Sequence, residues 1–202
     1  MLLSIDTYQL ISIILILIAF FLGFKILETS WSYKISKPYH WDAAVKKGEI
    51  SEPLVKMERT YRDKVRFYNF WFQIERLKKE NIEGAFAELG VYKGETAKMI
   101  HEMDTSRMLH LFDTFNGFSS TDLMDEIKTD EKYRTSNFAD TDLESVKNVF
   151  NERDKIFFYK GYFPETTSGM KEDKFALVHL DADLYKPTIA GLHYFYPKLS
   201  AG

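Results

Sequence analysis

The stretch GAFAELGVYKGETAKMIHEM, residues 84–103, decides the fold. GAFAELGV (84–91) reads as a strand and GETAKMIHEM (94–103) as a short helix, joined by a turn bracketed by Gly90 and Gly94. Glycine permits a tight turn and a close approach of ligand to backbone, while the following helix aims its free N–H groups at whatever sits there. Downstream the pattern repeats. MLHLFDTF (108–115), KIFFYKG (155–161) and FALVHLD (175–181) read as strands. TDLESVKNVFNE (141–152), with Thr141 or Asp140 as cap and Glu144 at the capping-box position, reads as a helix, as does IAGLHYFYPKL (189–199). Apolar strands alternating with helices predict an α/β fold whose parallel sheet is covered on both faces. Such sheets bind ligands outside the carboxyl ends of their strands, near the point where strand order reverses.

Upstream, a helix is expected from Pro53 to about Glu80, with Met57, Tyr61, Val65, Tyr68 and Phe72 forming one apolar stripe toward the core. Residues 28–52, with Pro38, Gly48 and Pro53 as turn signals, read as a juxtamembrane linker, and 53–202 as the domain. The linker follows a charge-free run, TYQLISIILILIAFFLGF (7–24), between Asp6 and Lys25. Eighteen helical residues reach roughly 27 Å, close to the hydrocarbon thickness of a bilayer. A secretory signal would carry a basic n-region and a small-residue cleavage site, whereas Asp6 precedes this run and GFKILETSWSYK follows it. A buried soluble helix would not ordinarily be apolar on every face at a chain terminus. Residues 1–27 are therefore expected to be a single-pass anchor. Lys25, Lys34 and Lys37 lie only on its C-terminal side, which places the domain in the cytoplasm. Trp31, Tyr33, Tyr39 and Trp41 suit either the headgroup level or packing on the domain.

A net charge of -3 leaves no basic footprint for nucleic acid, and the absence of Cys excludes disulfides, thiolate metal sites and Cys nucleophiles. The chemistry lies in carboxylates at strand ends. Glu88-Leu89-Gly90 closes the first strand, with Tyr92, Gly94 and Thr96 on the turn and helix start. This is E-x-G-x-x-x-G, neither the G-x-G-x-x-G of dinucleotide binders nor a P-loop, and no Lys-Ser/Thr follows. It suits the amino-acid end of S-adenosylmethionine, whose carboxylate takes backbone N–H groups while an acidic side chain faces its ammonium. Asp113 ends the second strand, where a carboxylate accepts ribose hydroxyls. A turn cap in DTFNG is the plainer role for it, and NAD binding is a competing use of the same geometry. Asp181 and Asp183 end the fourth strand, where the plain reading is that they cap a helix beginning near Pro187 and otherwise face water.

AELGVYKGETA, LHLFDTFNGF, NFADTDLESVKNVF, KGYFPET and VHLDADLYKPT…YPKLSAG, in this order from about residue 50 to the end, resemble the macrocin-type sugar O-methyltransferases of macrolide and aminocoumarin deoxysugars. The resemblance does not cover the apolar run. It implies a Rossmann-like class I methyltransferase sheet, S-adenosylmethionine as methyl donor, a divalent metal (usually Mg²⁺), and a sugar or glycoside acceptor. By that resemblance Glu88, Gly90 and Gly94 frame the methionine end of the cofactor and Asp113 the ribose. Asp140, Gly161 and Tyr162 lie along the adenine. Asp181 ligates the metal and serves as base, and Asp183 is a neighbouring ligand. The Phe-Pro-Glu-Thr at 163–166 is shared with the family, its simplest role a turn. The family continues past its Ser-x-Gly-Gly turn into a strand ending in two further Asp ligands, whereas this sequence stops at Ala201-Gly202. The last strands of the sheet are thus expected to be missing, as in a fragment, with an unpaired sheet edge left behind. The cytoplasmic domain at a membrane makes a lipid-linked or envelope glycan an attractive acceptor. A homo-oligomer is compatible with the sequence, which does not choose the state. A catalytically impaired cofactor-binding module and a nicotinamide-dependent oxidoreductase stay open as other readings.

Overall fold

The computed structural model describes residues 6–126, 133–150 and 154–202. Strands β1 (Ala85–Leu89), β2 (Leu109–Asp113), β3 (Ile156–Lys160) and β4 (Phe175–Leu180) form one parallel sheet in the order β3-β2-β1-β4. The chain steps outward from β1 through β2 to β3, then returns to the other side of β1 with β4. The strand order therefore reverses between β1 and β4, and the sequence reading of a parallel α/β sheet holds. The bare outer edge expected for β4 begins to be covered. Leu199 makes a parallel bridge to Phe175, and Ser200 N donates to the Phe175 carbonyl at 2.8 Å.

Alternation along the strands builds two cores. Ala85, Ala87 and Leu89 face helix α8 (Tyr185–Phe195), where the small side chains of the two alanines leave room for Phe112, Phe163, Phe175 and Phe195. Phe86 faces the other layer, with Leu109, Leu111 and helices α4 (Lys64–Lys79) and α5 (Glu95–Met103). Glu88 shares the parity of Phe86, so its carboxylate is carried into that second layer.

Several local expectations are corrected. The single helix over 53–80 is two, α3 (Glu52–Thr60) and α4. Tyr61 leaves the helix in an extended conformation, and Asp63 Oδ1 accepts from Arg66 N at 2.9 Å to cap a new one. The new cap resets the helical phase. Phe67, Tyr68, Trp71, Ile74 and Leu77 face the core, while Val65 and Phe72 of the anticipated stripe are exposed. The linker also contains a helix, α2 (Tyr39–Lys46), whose Trp41 is fully buried against Phe67, Tyr68 and Trp71. Tyr39 is exposed, and the side chains of Trp31 and Tyr33 lie outside the described residues.

Helix α6 (Ser120–Glu126) follows β2, and α7 (Leu143–Lys147) is shorter than the stretch 141–152, of which 151–152 lie outside the described residues. The cap of α7 is Asp142, which accepts from Ser145 N, because Asp140 and Thr141 are engaged elsewhere. Helix α8 starts ahead of Pro187, which sits in the first turn where no backbone N–H is required. Its N-cap is Leu184, which has no side-chain cap bond of its own. At the other end of the chain, α1 (Thr7–Ser36) contains one stretch, Thr7–Leu27, long and apolar enough to cross a membrane, with none of it buried.

Candidate active site

The carboxyl ends of β1, β2 and β4 open into a cleft of about 470 Å³. Of the residues singled out in the sequence, Glu88, Gly90, Tyr92, Thr96, Asp113, Gly161, Tyr162, Asp181 and Asp183 border it. Gly94 and Asp140 do not; each acts one step back.

Gly90 adopts φ +90°, and a Cβ there would lie 2.3 Å from the Asp181 carbonyl oxygen. Glycine is thus required where the β1 turn crosses the end of β4, and Asp181 N donates to the Leu89 carbonyl at 2.9 Å to close that contact. Gly94, at φ +78°, is the N-cap of α5 and lets Val146 pack against the turn. The first turn of α5 brings Glu95 and Thr96 to the cleft, and Thr96 Oγ1 lies 3.1 Å from the Tyr61 hydroxyl.

Glu88 is buried on the cleft floor. His179 Nδ1 lies 2.8 Å from its Oε1, while Oε2 is buried with no hydrogen-bond partner among the described residues. Burial pushes the Glu88 carboxyl above its ordinary range, and the nearby His179 only partly offsets this. A buried carboxylate oxygen without a partner among the described residues, on a residue that lines a cleft, fits an incoming cation, such as the ammonium of an amino acid.

Asp113 braces the glycine turn. Its Oδ2 accepts from Val91 N (2.7 Å) and Tyr92 N (2.9 Å), and its Oδ1 from Phe115 N (2.6 Å). The turn-cap role is therefore present: Oδ2 has both acceptor sites engaged, while Oδ1 has beside Phe115 N only a long contact from the Thr114 hydroxyl at 3.5 Å. Asp140 clasps the same turn from outside, taking the Tyr92 hydroxyl at 2.8 Å and Lys93 Nζ at 2.6 Å, while Thr141 Oγ1 donates to the Tyr92 carbonyl at 3.0 Å. The lysine holds the Asp140 carboxyl below its usual range. The residue that this segment brings to the cleft is Phe138, packed edge-on to Tyr92 and Phe118. Across the cleft, Tyr162 donates to the buried Asp122 at 2.7 Å, and burial, with Asp122 beside it, pushes the phenol up to about 12.

Asp181 is half-exposed, with Arg66 Nη1 3.5 Å from its Oδ2 and His179 Nε2 4.0 Å away. Asp183 stands on the rim at φ +60°. The Mg²⁺ implied by the resemblance finds no adequate ligand set here. Among the described residues no group of three or more His, Asp or Glu side chains comes together to hold a metal. A hard divalent cation takes about six oxygens, so the two aspartates do not by themselves fit it.

Sequence reasoning missed His179, Tyr61, Arg66, Phe118, Phe138 and Asp122. His179 was within reach, since it alternates with Asp181 along a strand otherwise apolar. Tyr61 and Arg66 were not, because only the break between α3 and α4 turns them to the cleft.

Comparison with known proteins bears on this arrangement directly. A curated relative from Streptomyces olivaceus, 8-demethyl-8-(2,3-dimethoxy-alpha-L-rhamnosyl)-tetracenomycin-C 4'-O-methyltransferase, is 26% identical over 149 residues, covering 68% of this chain and 57% of its own length. The solved structure of the O-methyltransferase NovP matches with a TM-score of 0.56 at 24% identity, over 69% of this chain and 62% of its own, a likeness of fold. The chain thus spans less than two thirds of each protein's length. The macrocin-O-methyltransferase (TylF) family model matches residues 27–202, taking in the whole sheet and every residue of the cleft, and the chain belongs to that family.

Proposed function

We propose that this chain carries the cofactor half, and the catalytic carboxylate, of an S-adenosylmethionine-dependent O-methyltransferase acting on the hydroxyl of a sugar or glycoside. The observation that carries the reading is the unpartnered, buried Glu88 Oε2 beside Gly90, at the point where strand order reverses. Family membership and the curated relative's sugar-bearing acceptor support the same class of substrate.

Bound S-adenosylmethionine supplies a methyl group activated by its sulfonium. Glu88 would face its ammonium, the N–H groups at the start of α5 its carboxylate, and Asp113 Oδ1 a ribose hydroxyl. Gly161, Tyr162, Phe118 and Phe138 form the walls along the adenine. Asp181, half-exposed at the mouth, accepts the proton of the acceptor hydroxyl as its oxygen bonds to the methyl carbon and the carbon–sulfur bond breaks. S-adenosylhomocysteine leaves with the electron pair. Thr7–Leu27 serves as a membrane anchor with the domain on the cytoplasmic side, which suits a lipid-linked or envelope glycoside.

Calorimetry with S-adenosylhomocysteine tests the cofactor reading, and a binding failure overturns it. Asp181→Asn should keep that binding and lose methyl transfer to glycoside acceptors by about a hundredfold or more. Full turnover in that variant would remove Asp181 from its role. Binding without turnover in the unaltered chain would identify a cofactor-binding module instead. Deleting residues 1–27 should move the protein from the membrane to the soluble fraction, and an unchanged distribution would refute the anchor.

A further inference from the structure

Glu88 and His179 are register partners across β1 and β4, so their side chains leave the sheet on the same face and meet at the cleft floor. His179 is mostly buried, with Phe70 of α4 set edge-on to its ring at 5.0 Å. That packing fixes the ring plane. One ring nitrogen then points at Glu88 Oε1 (2.8 Å) and the other toward Asp181 Oδ2 (4.0 Å). The imidazole therefore stands between the carboxylate assigned to the cofactor and the carboxylate assigned to the acceptor. With its proton on Nδ1 it donates to Glu88, occupying Oε1 and leaving Oε2 as the oxygen with no partner among the described residues.

We propose that His179 is a positioning residue: it holds Glu88 in the rotamer that meets the cofactor's ammonium. This rests on the cofactor reading above. A carboxylate lacking its second-layer donor would be free to turn away from the cleft, so cofactor affinity should depend on the His179 donor and not on ring bulk alone. The dependence should be confined to ligands that carry the amino-acid end.

The test compares S-adenosylhomocysteine with 5′-methylthioadenosine, which lacks the ammonium and carboxylate, by calorimetry on the full chain. His179→Leu keeps an apolar contact to Phe70 and removes the donor. It should weaken S-adenosylhomocysteine about tenfold, the scale of a hydrogen bond to a charged group, and leave methylthioadenosine unchanged. His179→Asn places an amide N–H near the Nδ1 position and should restore S-adenosylhomocysteine to within about threefold of the unaltered chain. Equal weakening of both ligands in His179→Leu, or no weakening of either, overturns the proposal. Failure of the unaltered chain to bind S-adenosylhomocysteine overturns the cofactor reading as well.

Discussion

At the scale of single residues, Glu88 concentrates the physics of the site. Burial strips solvent from the charge and raises its carboxyl above the ordinary range, so the neutral form persists to higher pH than in an exposed glutamate. An ammonium beside Oε2 favours the charged form instead, so binding releases a proton. Affinity for S-adenosylhomocysteine should therefore rise from acid pH to a plateau above the raised Glu88 value. Calorimetry in buffers of differing ionisation enthalpy should register the released proton. Glu88→Gln should lower affinity about tenfold and flatten the pH dependence; an unchanged pH profile would show that another group is responsible. Stability runs the opposite way. A carboxyl raised in the fold contributes fully below its unfolded value and loses that contribution as pH climbs through the folded one, so the ligand-free protein is penalised where the ligand binds best.

Among the elements, α2 matters most, since it extends the folded domain beyond the boundary at residue 53. Trp41 is fully buried, with ring centroids 5.2 Å from both Phe67 and Trp71. Truncating a buried Trp leaves a cavity that the surrounding helices fill only in part. Trp41→Ala should cost about 3–5 kcal/mol in urea unfolding; a loss below about 1 kcal/mol, the range of surface substitutions, would mean that α2 is not part of the cooperative unit. The same α2–α4 layer holds α4 over the sheet, and α4 carries Arg66 to Asp181 and Phe70 to His179. Packing remote from the cleft thus fixes the groups that border it.

Across the whole molecule, the sheet is a source of acid sensitivity. His110 in β2 is stacked on Phe157, with its Nδ1 2.9 Å from the Tyr159 hydroxyl, and burial pushes it down to about 4. A depressed imidazole favours the fold fully above its ordinary value near 6.5 and loses that contribution as pH falls toward 4. The loss is on the order of 3 kcal/mol at its limit. Urea unfolding at neutral pH and near pH 4 should show it, and the difference should shrink in His110→Phe. An equal acid loss in that variant would assign the sensitivity to other groups.

The sequence by itself determined the strands and the glycine turn. Four apolar runs, each followed by Gly or Asp, allow little but a parallel sheet with its chemistry at the carboxyl ends. It determined the apolar span in the same way, because Thr7–Leu27 is defined by composition alone. It also singled out most of the cleft, since Glu88, Asp113 and Asp181 interrupt runs where charge is otherwise costly. Its helix limits were less secure. A local cap at Asp63 outweighed the longer periodicity of 53–80, and Asp142 replaced two better-looking caps whose side chains had tertiary partners. What only the tertiary structure decided was which carboxylate each group answers to. Asp113 is turned to the backbone of a turn 21–22 residues away, and Asp140 grips Lys93 across a separation of 47. Glu88 meets His179 because β4 lies beside β1 and not beside β3. Strand order is set by packing of the whole chain, and no local pattern encodes it.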